Sequence, residues 1–140
     1  MEFRDVSGGI IINNGKIFLI KRKYEPNKNT WCPPGGFTDK SINEPVEDCC
    51  IREIKEETNI DIEIIKKLDI LDYYNKIRER HEHIHIFLCK PKSTEIIIDD
   101  EILDAKWINL DEIDNLDLIP GFYEFISKNK DSIESYQKSN

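Results

Sequence analysis

Three glutamates, Glu53, Glu56 and Glu57, crowd one face of a predicted helix and constrain this chain more than any other feature. They fall within an arc of about 100°, because each residue turns a helix by about 100°. Glu53 repels the other two, since residues three and four positions apart are neighbours on the helix surface. A divalent cation such as Mg²⁺ binds clustered carboxylates and removes that repulsion. The segment indicates either a metal site or a solvated acidic face.

The helix that carries these glutamates is predicted over residues 45–58. Asn43 or Glu44 is expected to cap its start, because Pro45 suits an early helical position. Asn59 is expected to end it, since asparagine tolerates the left-handed conformation found at helix ends. Arg52 precedes Glu56 by four residues and is expected to orient that carboxylate.

The rest of the chain predicts strands around this helix and a second helix near the end. Asn-Gly at residues 14 and 15 predicts a tight hairpin turn between apolar runs. The expected strands are residues 7–12, 16–21, 60–64 with an extension to 74, 81–88, and 105–108. Residues 24–43 are expected to form a loop, residues 122–129 a closing helix, and residues 131–140 a frayed tail.

Length and charge narrow the class of protein. A chain of 140 residues predicts one domain, residues 1–140. Its net charge of -8 disfavours a long nucleic acid as partner, because such partners are bound by basic surfaces. The sequence contains neither a run of the about 18 apolar residues that span a membrane nor a secretory signal pattern, so a cytoplasmic protein without a membrane partner is expected.

Four cysteines lack the spacing of a zinc or redox motif. We expect Cys32, Cys49, Cys50 and Cys89 to be small buried thiols, with a zinc or redox site as the alternative.

The residues around the three glutamates resemble the Nudix box, whose pattern is G-x5-E-x7-R-E-U-x-E-E-x-G-U with U a bulky aliphatic residue. Glu44, seven further residues and then R-E-I-K-E-E-T at 52–58 match this spacing, and Ile60 fills the last aliphatic position. W-C-P-P-G-G-F at 31–37 is similar to the stretch that leads into the box, and W-I-N-L-D-E-I at 107–113 to one that follows it. The resemblance covers residues 7–126.

Two positions depart from the family pattern. Seven residues separate Gly36 from Glu44, where the family has five, so we expect the loop before the helix to take a different path. Asn59 replaces the usual glycine after the box and is read as a conservative helix stop.

The resemblance implies an α+β fold, with a mixed β-sheet sandwiched between α-helices. It also implies that Glu53, Glu56 and Glu57 bind Mg²⁺ or Mn²⁺, with Gly36 at the metal site, and that Arg52 holds a ligand glutamate. These three glutamates and Arg52 are the predicted catalytic residues. Gly35 is expected to permit a tight backbone path beside the substrate.

Residues Arg22, Lys23 and Tyr24 follow the predicted hairpin and are candidates for substrate binding. Arginine and lysine pair with phosphates and tyrosine stacks on bases, although a solvated strand end is an equally good interpretation. The stretch K-R-K-Y-E-P at 21–26 resembles ADP-ribose pyrophosphatases of the family. The general base is not identified; the candidates are Glu101, Asp100, Glu79 and Glu82.

Histidines and tryptophans offer two further candidate sites. His81, His83 and His85 share one strand face and are expected to form its polar side, with metal binding as the alternative. Trp31 and Trp107 are expected to pack in the core or to line a base pocket.

The expected function is Mg²⁺- or Mn²⁺-dependent hydrolysis of the diphosphate linkage in a nucleoside diphosphate derivative such as ADP-ribose. The alternatives are a nucleoside triphosphate pyrophosphohydrolase and a catalytically silent nucleotide sensor. Silent modules often lose box glutamates, and this chain keeps them. The expected partner is a small nucleotide-like substrate, and a homodimer remains open.

Overall fold

The structure, a computed structural model, describes residues 3–139. Its strands are β1 (Phe3–Asn13), β2 (Lys16–Arg22), β3 (Trp31–Cys32), β4 (Gly35–Phe37), β5 (Ile62–Asn75), β6 (Arg80–Pro91) and β7 (Ile102–Asn109). Its helices are α1 (Val46–Thr58), α2 (Phe122–Lys128) and α3 (Lys130–Ser139). Two 3₁₀ turns lie at Lys40–Ile42 and Leu110–Asn115.

Strand β1 organises a mixed sheet. Its first part pairs in parallel with β6 and antiparallel with β4, and its end forms the predicted hairpin with β2. Asn14 and Gly15 make the hairpin turn with φ angles of 52° and 76°. The path through the sheet is β3-β2-β1-β6-β5, with β7 on β2 and β4 on β1.

Successive residues of β1 point to opposite sides of the sheet. Apolar side chains therefore face both sides, and helices pack on each of them. Ile10 and Ile12 pack with Phe122, Phe125 and Ile133 of α2 and α3. On the other face, neighbouring β1 residue Ile11 packs with Cys50 and Ile54 of α1. The predicted α+β sandwich is confirmed.

The start of α1 differs from its predicted form. Pro45 occupies the cap position and no side chain caps the helix, so the prediction that Asn43 or Glu44 does so is wrong. Asn43 instead takes a φ of 50° and ends the 3₁₀ turn before the helix. Ser7 of β1 secures this end by donating a 2.6 Å hydrogen bond to the Val46 carbonyl. Asn59 ends the helix with a φ of 69°, as expected.

Residues 24–43 are more regular than a loop. They contain β3 and β4, which have two and three residues and are too short to show a periodic pattern. These strands form because β3 pairs with β2 and β4 pairs with β1. The residues that stabilise them therefore lie elsewhere in the sequence.

The predicted frayed tail is also wrong for residues 131–139, which belong to α3, whereas residue 140 lies outside the described part. Ile133 is 1% exposed in the core, and Tyr136 packs against the same cluster one turn later. This segment packs Ile133 and Tyr136 into the core cluster, and two apolar residues three positions apart are too short a pattern to predict a helix. The four cysteines are unpaired thiols and buried, as expected. No described helix has the length and apolar character to span a membrane.

We expect Ile133→Ala to lower the free energy of unfolding by about 2 to 5 kcal/mol, because it leaves a cavity in the core. Ile97→Ala removes the same atoms from a side chain that is 60% exposed, and should change stability by less than about 0.5 kcal/mol. Urea unfolding of both variants checks this. Equal effects would show that α3 does not contribute to the core.

Candidate active site

Helix α1 places two of its glutamates against the glycines of β4. Gly36 lies so close to the Glu53 carboxylate that a Cβ at this position would collide with it. The Gly35 amide donates a 2.8 Å hydrogen bond to Oε1 of Glu57. A Cβ at Gly35 would in turn collide with the backbone of β1. The two glycines therefore let β4 fit between β1 and the carboxylates.

Both of these carboxylates have raised pKa values because they are desolvated. Burial raises the pKa of Glu57 to about 8, and the Gly35 hydrogen bond opposes this only in part. The negative charges of Glu53 and Glu101 raise it further, while Arg22 lowers it. Burial also raises the pKa of Glu53 above its usual value. Carboxylates held in such surroundings are stabilised when a cation joins them.

Arg52 connects the acidic residues of the site. Its Nε and Nη2 donate to both oxygens of Glu44, at 2.7 and 2.8 Å. Its Nη1 lies 2.9 Å from Oε1 of Glu53 and 3.1 Å from Oε2 of Glu56. The expected contact with Glu56 is present, but the paired hydrogen bonds go to Glu44. Glu44 was predicted only as a match to the box and as a possible helix cap, so this role was not foreseen.

The longer loop before α1 keeps Glu44 in reach of Arg52. Asp39 accepts hydrogen bonds from the amide and hydroxyl of Ser41, which folds the extra residues into the 3₁₀ turn. The Asp39 amide then donates to Oε1 of Glu44 at 3.0 Å. The 3₁₀ turn thus accommodates the longer segment between Gly36 and Glu44.

The available donors fit a hard divalent cation. Glu53 and Glu57 offer carboxylate oxygens, and oxygen donors are those that Mg²⁺ and Mn²⁺ prefer. The Gly36 carbonyl, predicted to lie at the metal site, accepts a 3.4 Å hydrogen bond from the Cys49 thiol. No three acidic, histidine or cysteine side chains of residues 3–139 are already gathered as a metal cluster. A cation here would be held by the two carboxylates together with solvent. Glu56 is exposed and is held by Arg52.

The histidines of β6 form ion pairs and hydrogen bonds on the sheet surface. His81 lies 3.1 Å from Asp72, and His85 lies 2.9 Å from Asp5 and 2.8 Å from Lys67. This arrangement favours the polar strand face over metal binding, since they belong to no metal cluster in the described residues.

Of the three residues after the hairpin that are predicted to bind substrate, Arg22 acts electrostatically on a glutamate of the site. Arg22 is close enough for its charge to act on Glu57, although its Nε donates to the Pro26 carbonyl at 2.8 Å. Lys23 donates to the Asp100 carbonyl at 2.8 Å and lies over the ring of Tyr24. Tyr24 is exposed, so its ring is accessible to a base.

The candidates for the general base separate clearly. Glu82 is buried and bound to Arg80 and Asn75, and Glu79 lies exposed in the β5–β6 turn. Asp100 contributes its carbonyl to Lys23. Glu101 is the candidate whose charge acts on Glu57.

The tryptophans pack in the core. Trp31 is 7% exposed in the cluster beneath α2 and α3. Trp107 contacts the edge of Phe18, with ring centres 5.2 Å apart. These contacts favour packing over a base pocket.

The Glu44–Arg52 pair should make the free energy of unfolding depend on pH in the acidic range. Arg52 lowers the pKa of Glu44 from 4.5 to about 2, so the pair stabilises the fold above pH 4.5 and loses this effect as pH falls towards 2. We expect Glu44→Gln to be less stable than wild type at pH 7, with a difference that shrinks between pH 5 and pH 3. Urea unfolding across this range measures it; a constant difference would contradict the pairing.

Comparisons with known proteins agree with the fold and identify a family. Residues 3–128 match the NUDIX domain family model. The ADP-ribose pyrophosphatase of Methanocaldococcus jannaschii is 32% identical over 108 residues, which cover 77% of this chain and 63% of that protein. The chain thus spans less than two thirds of that relative.

Two solved structures show the same architecture. A MutT NUDIX hydrolase from Burkholderia pseudomallei has a TM-score of 0.72 and 33% identity over 79% of this chain and 86% of that one. A bifunctional NMN adenylyltransferase/ADP ribose pyrophosphatase from Francisella tularensis, complexed with AMP and a Mn ion, has a TM-score of 0.74 and 28% identity over 94% of this chain and 42% of that one. With the family match over most of its length, this chain belongs to the Nudix hydrolase family.

Proposed function

We propose that this protein hydrolyses the diphosphate linkage of a nucleoside diphosphate derivative, with Mg²⁺ or Mn²⁺ as cofactor and ADP-ribose as the first candidate substrate. The observation that carries this proposal is the convergence of Glu53 and Glu57 on Gly35 and Gly36. Two desolvated carboxylates next to the glycines of β4 offer hard oxygen donors, and no ion pair is seen at Glu57 among the described residues. That is the environment in which a divalent cation is bound most favourably.

Each side chain has a distinct part in this proposal. Glu53 and Glu57 hold the cation, which supplies neutralisation of phosphoryl charge and a lowered pKa of bound water. Arg52 positions Glu53 and Glu56, and Gly35 fixes the orientation of Glu57 through its amide. Arg22, Lys23 and Tyr24 bind the substrate. Glu101 is the proposed base that accepts the proton of the attacking water. Among the candidates, it is the one whose negative charge raises the pKa of Glu57.

The substrate is proposed from the relatives. Proteins similar to this chain are named ADP-ribose pyrophosphatase, and one neighbour structure holds AMP and a Mn ion. A nucleoside triphosphate pyrophosphohydrolase is the second candidate, because the same donors serve both linkages. A silent sensor is disfavoured, since the box glutamates are present and arranged around β4. The protein acts on a small nucleotide, either as a monomer or as a homodimer.

Product analysis separates these activities. The chain is incubated with ADP-ribose and with nucleoside triphosphates in Mg²⁺ or Mn²⁺, and products are resolved by chromatography. AMP and ribose 5-phosphate from ADP-ribose support the first candidate. Pyrophosphate and a monophosphate support the second. No product from any of them, with a folded protein, would overturn the hydrolase proposal.

We expect Glu53→Gln to reduce kcat by about 10²-fold or more, since a metal ligand contributes several kcal/mol of transition-state stabilisation. Folding should survive, because burial already disfavours the charged form of Glu53. Glu47→Gln is the matched control, as this exposed residue lies on the same helix. Steady-state hydrolysis and thermal melting of metal-free protein are compared. A Glu53→Gln rate equal to that of the control would show that Glu53 is no metal ligand.

A further inference from the structure

Three arginines converge on Phe37, the residue that follows the metal-site glycines. The Cζ atoms of Arg4, Arg78 and Arg80 each lie 5.1 Å from the centre of the Phe37 ring. Two such distances add to 10.2 Å, so no pair of these guanidiniums is separated by more than that. Like charges this close repel, and the chain as a whole has a net charge of -8. A cluster of three arginines in an acidic chain is therefore not expected from its amino-acid composition alone.

The arginines are held in place by the surrounding structure. Arg4 donates a 2.8 Å hydrogen bond to the Thr38 carbonyl, while its Nε is buried without a partner. The turn that carries Arg78 is fixed by Asn75, whose buried side chain accepts hydrogen bonds from the amides of Ile77 and Arg78. The side chains are thus prepositioned, which lowers the entropy lost on binding a ligand.

Glu82 pairs with two of the three arginines. Oε2 of Glu82 lies 3.2 Å from Nε of Arg80 and 3.6 Å from Nη1 of Arg78. Arg78 keeps 43% of its side chain exposed, so it can still reach a ligand from solvent. Guanidiniums bind phosphate oxygens through paired N–H groups, and a buried N–H such as Nε of Arg4 gains most from such a partner.

The cluster adjoins the metal site across one strand. Gly36 faces Glu53, so Phe37 points to the other side of β4, because adjacent side chains of a strand alternate. Among the described strands β4 pairs only with β1. Its other edge meets side chains of α1, because the Gly35 amide donates to Glu57. The Phe37 carbonyl likewise accepts from Arg52. The carboxylates and the arginines thus lie on opposite sides of a three-residue strand, and a ligand that reaches past its end would contact both.

We propose that Arg4, Arg78, Arg80 and Phe37 form an anion site that binds a phosphate group of the substrate outside the cleaved linkage. This inference rests on the proposed function for the identity of the substrate. Within the nucleoside diphosphate derivatives, it predicts a preference for those that carry an additional phosphate.

Inorganic phosphate tests the site itself without catalysis. It is titrated into metal-free protein containing EDTA and followed by ¹⁵N amide spectra. We expect shifts at residues 4, 37–38 and 75–80, and about tenfold weaker binding in Arg78→Gln, because a hydrogen bond to a charged group is lost. Lys16→Gln, which removes a charge at the start of β2, opposite the far end of β1, should bind as wild type does. No phosphate binding, or equal binding in Arg78→Gln and wild type, would overturn the anion site.

A pair of diphosphates tests its role in substrate choice. ADP-ribose and ADP-ribose 2′-phosphate differ by one phosphate. We expect wild type to show the lower KM for the phosphorylated member, and Arg78→Gln to remove that difference. Equal KM values in wild type would contradict the proposed substrate class. Absence of hydrolysis would count against the proposed function, while the phosphate titration would still decide the anion site.

Discussion

The guanidinium of Arg52 contacts five oxygen atoms of the described residues, and the arrangement of the site depends on it. Two belong to Glu44, one each to Glu53 and Glu56, and one is the carbonyl of Phe37. These contacts link helix α1 to the loop before it and to β4. They also compensate for the repulsion among clustered carboxylates, which would otherwise weaken the helix. Glu57 lies outside this network, and burial raises its pKa. A bound cation would therefore stabilise its charged form.

Strand β4 is the second constraint, because it brings both halves of the candidate site together. Its two glycines allow α1 to approach on one side, and its phenylalanine meets the arginines on the other. Three residues thus separate the carboxylates that we propose to bind a cation from the arginines that we propose to bind an anion. A phosphorylated nucleotide chelated to a divalent cation has both kinds of group, so its charges complement those of the site.

The parts of the fold that the sequence predicted are those with a local cause. Asn14-Gly15 specifies its turn through φ angles, and Glu53 and Glu57 share a helix face through the helical repeat. Strand β4 and helix α3 were not predicted, because pairing with β1 and burial of Ile133 depend on residues distant in sequence. The role of Glu44 required the geometry of the loop. The arginine cluster required the parallel register of β1 and β6, which places Arg4 beside Glu82.

The most direct test of the account is metal binding by the two desolvated carboxylates. Mn²⁺ is titrated calorimetrically into wild type, Glu53→Gln, Glu57→Gln and the control Glu47→Gln, with folding verified by circular dichroism. Wild type and the control should bind with equal affinity, and each of the other two at least about tenfold more weakly, since even residues that support a ligand contribute that much. Four indistinguishable isotherms would show that the carboxylates beside β4 do not form the metal site.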